Sequence, residues 1–235
     1  MATSSTYLWS PDLAECFDEA FERAKVDPST IDVSHIISAR RSVNFMLAEW
    51  ATKDYHAFRV DRLSAFALVT GTQQYTVDPS ADGRVIDIQS MSLTRSSTDS
   101  PMWPMSRQEW MDIPNKTTRG RPSRYFADKR QNSVIIQLWP VPENSTDTLL
   151  MDVMRKFQDA GASRFEPDIP YLMREAFVAC LAAKLAQKYA PSFFNDLYAL
   201  GEQKFKEGNG AQRIRGDVII VPGSNLRGRR GGRVR

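Results

Sequence analysis

The segment that most restricts the fold lies between Pro170 and Tyr189. There Leu172, Met173, Ala176, Phe177, Cys180, Leu181, Ala183 and Leu185, with Ile169 just before, cover most of a helix circumference rather than one stripe. A helix that is apolar all round offers water no face, so other parts of the chain have to enclose it. Pro191 ends it, and the enclosing elements have to come from the rest of the sequence.

Three amphipathic segments fit that need. Ser10-Pro11-Asp12 is a helix start, with a side-chain acceptor, a proline whose missing N–H costs nothing, and an acid at the positive dipole end. Behind it Leu13, Cys16, Phe17, Ala20, Phe21 and Ala24 recur at three- and four-residue steps, while Glu15, Glu19, Glu22 and Arg23 face outward. Asp27-Pro28-Ser29 closes this helix, and a second spans about residues 33–52 with Ile36, Val43, Leu47 and Trp50 inward. The two are expected to form an antiparallel hairpin. After Pro191 a last helix carries Phe194, Leu197, Tyr198, Gly201 and Phe205 and runs to about Lys206.

From about Phe58 the apolar period shortens. Strands are expected at residues 65–69, 74–77, 85–93, 124–128, 134–139 and 148–157, and the mixed spacing of Val85, Ile86, Ile88, Met91 and Leu93 leaves a bulge or another register open. Ser106-Arg107-Gln108-Glu109-Trp110 reads as a short capped helix, and Pro140 and Pro142 as strand stops. The fold class is therefore α+β. Residues 10–56 and 167–207 form an antiparallel helical bundle of about four helices, residues 57–158 a β-rich insertion with a small antiparallel sheet or sandwich, and residues 208–235 an extended basic C-terminal arm.

The arm is set apart by charge. Its last 25 residues hold seven arginines against one aspartate, a net +6, which leaves −3 for residues 1–210 out of the chain's +3. Within it Val218, Ile219, Ile220 and Val221 form a β-branched run fenced by Gly216-Asp217 and Pro222-Gly223, with no hairpin mate behind it. The backbone groups of such a strand need a partner sheet from the body, a neighbouring subunit or another protein, and strand addition to another protein is the preferred mode. Asp217 to Val221, with Arg227, Arg229, Arg230, Arg233 and Arg235, are therefore the candidate partner-binding residues. The alternative is an Arg/Gly-rich nucleic-acid tail in which the arginines neutralise phosphates.

Little supports catalysis. His35 and His56 sit in no metal-ligand spacing, and no GxSxG, HExxH, P-loop or strand-borne GxGxxG occurs. No catalytic, metal-binding or cofactor-binding residues are assigned. Glu15, Glu19, Asp152, Glu166 and Asp168 read as solvated faces or ion-pair partners, and Trp50, Trp103, Trp110 and Trp139 as core packing before interface anchors. Cys16 and Cys180 lie in apolar helical patterns and read as core residues, not a disulfide or zinc pair. No stretch approaches the roughly 18 uninterrupted apolar residues of a membrane span, so no membrane partner is expected.

An ordered series of short segments carries a family likeness. It comprises Ala20-Phe21-Glu22-Arg23, Val26-Asp27-Pro28-Ser29, Ala39-Arg40-Arg41-Ser42-Val43-Asn44, Glu49-Trp50-Ala51, and Gly71-Thr72-Gln73-Gln74-Tyr75-Thr76-Val77. Further on come Ser106 to Trp110, Gly120-Arg121-Pro122-Ser123-Arg124-Tyr125-Phe126, Leu138-Trp139-Pro140-Val141-Pro142, and Ile169-Pro170 before Leu181-Ala182-Ala183-Lys184-Leu185-Ala186. Over roughly residues 13–190 the chain resembles the head-to-tail adaptors of tailed bacteriophages, the group that includes tail accessory factors and tail tubular proteins of short-tailed phages. The resemblance implies a virion protein, assembled in the host cytoplasm, that forms a dodecameric ring. Its partners would be the portal protein above, the tail nozzle or tube protein below, and double-stranded DNA passing through the channel without sequence recognition. It further implies ring contacts from the helical core, a β insertion facing the tail, and C-terminal arms reaching the portal. The arginine-rich end matches no motif of the family.

Overall fold

A computed structural model of the chain describes residues 7, 9–53, 57–77 and 83–211. Helix α1 (Leu13–Arg23) starts where the Ser-Pro-Asp signal places it. The Asp12 carboxylate accepts the Glu15 N–H at 2.9 Å, and the Glu15 carboxylate accepts the Asp12 N–H in return, so two otherwise orphaned donors are satisfied. Helix α2 (Val33–Lys53) opens with Asp32 accepting the His35 N–H. The strands are β1 (Val60–Ala67), β2 (Gln74–Val77), β3 (Val85–Arg95), β4 (Thr98–Pro101), β5 (Trp103–Met105), β6 (Arg119–Gly120), β7 (Arg124–Lys129), β8 (Val134–Trp139), β9 (Val141–Pro142) and β10 (Thr148–Arg155). Helix α3 (Arg107–Asp112) falls between β5 and β6, and α4 (Arg174–Tyr189) and α5 (Phe194–Ala211) complete a mixed α+β fold with five α-helices among the described residues and mainly antiparallel sheets.

The all-round apolar segment becomes α4, and residues from 176 through 183, with Leu185 and Ala186, are buried. Helices α1, α2 and α5 all pack on it, and their inward residues share one core containing Phe17, Phe21, Val43, Leu47, Trp50, Phe177, Leu181 and Phe205. Here the expected α1–α2 hairpin needs correction. Each of these helices packs on α4 more than on the other, because α4 has apolar surface to offer on both sides.

Helix α5 lies close to α4 at Gly201, where an added Cβ would come 3.1 Å from Cys180 Sγ and 3.2 Å from its Cα. The helix also continues past the expected Lys206 to Ala211, so residues 208–211 belong to it and not to the arm. Gly208 is the reason: a Cβ there would sit 2.9 Å from the Leu172 carbonyl oxygen, so the glycine serves close packing of the last turn rather than helix termination.

The β segment is a sandwich of two four-stranded sheets, ordered β1-β10-β3-β4 and β2-β8-β7-β5, with a separate β6-β9 pair. Leu93, Leu149, Met151 and Val153 from the first sheet meet Tyr125, Val134, Ile136 and Leu138 from the second in a core distinct from the helical one. The uneven spacing along β3 is explained by two shifts in its pairing with β10. Gln89 and Ile86 are skipped, which brings Val85, Ile88, Met91 and Leu93 to one face. Strand β1 begins five residues earlier than expected and bulges between Leu63 and Phe66, where Ala65 takes a φ of 59°.

Four short strands were not anticipated. β5 pairs in parallel with β7 and β6 in parallel with β9, so Pro142 sits inside a strand pair instead of only ending β8. Outside the second sheet, α3 is held by a reciprocal Ser106–Glu109 cap and buries Trp110 against Phe126, the rings 6.1 Å apart and nearly parallel. Trp50 and Trp110 are core residues as expected, whereas Trp103 is 66% exposed because its short parallel strand lies at the sheet edge.

The two cores join through charged side chains. Arg155, at the end of β10, pairs with Asp168 at 2.5 Å, and Asp168 also accepts the Gln158 N–H. The buried Arg59 donates from Nε to the Arg155 carbonyl at 2.9 Å and lies 4.6 Å from the centre of the Phe157 ring. This fixes the point where chain leaves the helices for the sheets against the point where it returns.

Candidate docking surfaces

The arm residues singled out by sequence, Asp217 to Val221 and Arg227, Arg229, Arg230, Arg233 and Arg235, lie outside the described residues. The last described turn of α5 does fix where that segment is attached. It abuts the turn at Tyr171–Met173, through Gly208 against Leu172.

Beside that turn runs an open groove of about 710 Å³ between α1 and the start of α4. Trp9 and Tyr171 stand 65% and 69% exposed on its wall, and Arg174 lies between their rings, 5.5 and 5.4 Å from the two centres. The other side is acidic. Glu19 and Glu175 are both held by Arg23, with the nearest oxygens at 2.7 Å, and Glu15 caps its own helix. Cys16 reaches this groove as a buried thiol, pushed up to about 12 by burial and then by Asp12 and Glu15, and so is unionised at neutral pH.

A second surface lies across α4. On α2, Val33, Ile37, Arg41 and Phe45 follow one another at four-residue steps along the outer side, Val33 and Phe45 being 75% and 70% exposed. Next to them Lys188 of α4 donates to Ser42 Oγ at 2.6 Å and is held below the usual lysine value by burial and the nearby Arg41. From sequence only the buried stripe of α2 is apparent. The available signal was that its apolar residues occupy two sides, and one helix neighbour covers only one.

Between these surfaces and α5, Glu49 accepts from Lys184 at 2.7 Å and from Lys53 at 2.9 Å, and Lys53 reaches Glu202 at 2.6 Å. The bonds from Lys184 and then Lys53 hold the Glu49 carboxyl below its usual value. A depressed carboxyl contributes stability that is present above the ordinary value of about 4.3 and is lost as pH falls through the depressed one. Because these side chains are about one-third exposed, the contribution should stay under about 1 kcal/mol. In thermal unfolding at a series of pH values, Glu49→Gln should flatten the acid side of the profile and leave neutral-to-basic behaviour parallel to the parent.

Most acidic residues named from sequence have such partners. Glu19 pairs with Arg23, Asp152 with Arg62, Asp168 with Arg155, and Glu166 accepts from Ser10 at 2.5 Å. His35 bonds Asp32 through Nδ1 and packs on Tyr189, while His56 lies outside the described residues. Among the described residues no three His, Cys, Asp or Glu side chains gather into a metal site, and no helix is long and apolar enough to cross a membrane.

The helical layer thus presents two partly exposed apolar faces, one beside the acids of α1 and one beside Arg40 and Arg41 of α2, with a sandwich attached. The sequence model of the SU10 adaptor protein family matches residues 12–227, and the chain belongs to that family, consistent with a phage head-to-tail adaptor. No curated protein matches the chain.

Proposed function

We propose that this adaptor forms a dodecameric ring beneath the portal and links it to the tail nozzle or tube, leaving a channel through which double-stranded DNA passes. The observation that carries the reading is the family match, which spans both helical segments, the sandwich and part of the arm. In this reading the helical layer is a bundle that makes the ring, the sandwich faces the tail, and the arm adds its run at 218–221 to the portal while its arginines meet acidic patches. One such arm is a weak ligand, and repetition round a ring supplies the avidity.

The test follows from the end of α5. Deletion of residues 212–235 leaves all of the described helix α5 through Ala211 in place, so the truncated chain should keep its melting temperature. Its co-sedimentation with portal rings should fall at least tenfold. Undiminished portal binding would remove the arm from the interface. The same pair of proteins separates the nucleic-acid alternative, suggested by the +6 charge of the last 25 residues. Duplex binding that falls steeply with salt and vanishes on truncation, with portal binding intact, would favour it.

A further inference from the structure

We infer that the subunits of this ring meet head to tail, the outer side of α2 on one copy seating against the groove beside α1 on the next. The inference rests on the ring reading above and deepens it by assigning both halves of the contact.

The outer side of α2 is apolar and basic. Val33, Ile37 and Phe45 are exposed there, and Arg40 and Arg41 between them have no ion-pair partner among the described residues. The groove is apolar, with Glu15, Glu19 and Glu175 set against Arg23 and Arg174 in its lining, and further acids lie beside it on α1. Exposed Trp9, Tyr171 and Leu172 adjoin α1, whose outer side presents Glu15, Asp18, Glu19 and Glu22 at three- and four-residue steps. Asp18 and Glu22 likewise have no ion-pair partner among the described residues. Each surface thus has exposed large apolar side chains with two unpaired charges on it or directly beside it, and the charges are opposite in sign.

The two halves cannot meet within one chain. The groove uses Arg174, Glu175 and Val178 of α4, and the basic side uses Lys184, Gln187 and Lys188. At 3.6 residues per turn these sets point about 130° apart round the helix. Two different surfaces that fit each other on separate copies make a heterologous contact, which closes into a ring when the rotation closes. Opposite potentials on the two faces also fix the register and disfavour like faces meeting.

The full-length chain is tested by sedimentation velocity and native mass spectrometry at low salt, alone and with portal rings. The parent should sediment as a ring. Arg40→Glu with Arg41→Glu, and separately Asp18→Arg with Glu22→Arg, should each give monomer, because every contact in the ring then opposes like charges. All four substitutions in one chain restore complementarity with the signs exchanged, and rings should return. Rings that survive either double substitution, or a fourfold variant that folds and stays monomeric, overturn the inference and leave the ring reading standing. A parent chain that is monomeric under both conditions removes both. A Tyr171→Cys thiol that is shielded in the monomer and becomes reactive only on deletion of residues 212–235 would assign the groove to the chain's own tail and overturn the inference as well.

Discussion

Replacing Arg95 by methionine should lower the folding free energy by about 3–5 kcal/mol, the range for stranding a buried charge. Arg95 ends β3 and grips Asp147 with two parallel bonds, Nε to Oδ1 at 2.9 Å and Nη2 to Oδ2 at 2.7 Å. The aspartate side chain is 1% exposed, and no other side chain among the described residues bonds its carboxylate. It stands just before β10, and its carbonyl oxygen accepts the Leu68 N–H at 3.2 Å, so the pair ties three chain segments at one end of the sandwich. Without the guanidinium, the carboxylate is left in a dry site.

The reverse change is milder. Asp147→Asn leaves Arg95 partly exposed and still paired with Glu143 at 3.0 Å, so a loss of about 1–3 kcal/mol is expected. Urea denaturation of the two variants measures the difference. Equal losses, or a smaller one from Arg95→Met, would mean that the aspartate's isolation is not the controlling cost.

Phe177→Ala should cost a similar amount, about 3–5 kcal/mol, through lost transfer energy and the cavity left behind. Phe177 is fully buried at the middle of the helical core, with Trp50 of α2 edge-on to its ring at a centroid distance of 6.4 Å. No single neighbour can fill that space, because α1, α2 and α5 are all already held on α4. Phe177→Leu should recover most of the loss by conserving volume. A urea transition that moves by less than about 1 kcal/mol in the alanine variant would show that α4 is not the element the other helices depend on. Both proposed docking surfaces include residues of α4, so the alanine variant should also sediment as smaller species than the parent.

Parts of this fold were legible wherever neighbours in sequence settle the matter. Asp12 with Glu15 and Ser106 with Glu109 cap helices through contacts three residues apart, and the encircling apolar pattern from Ile169 to Leu185 required a central helix. Strand β8 was also legible, since its inward residues Val134, Ile136 and Leu138 alternate. Other parts escaped because their cause is distant. Two- and three-residue strands such as β5 and β6 exist only because β7 and β9 lie beside them, and they carry no period of their own. Gly208 looks like a helix stop until Leu172 is seen to occupy the space a side chain would need.

The sequence by itself determined the caps, the periods, the central helix and the separation of a basic tail from a mildly acidic body, because these follow from residue type and from spacing within a turn or two. Only the tertiary structure decided that Val33, Ile37 and Phe45 of α2 face outward, that Trp9 and Tyr171 flank a groove, and that opposite charges lie on different sides of α4. A helix has the same residues on the same sides whatever surrounds it. Which side is covered depends on how distant segments pack against it.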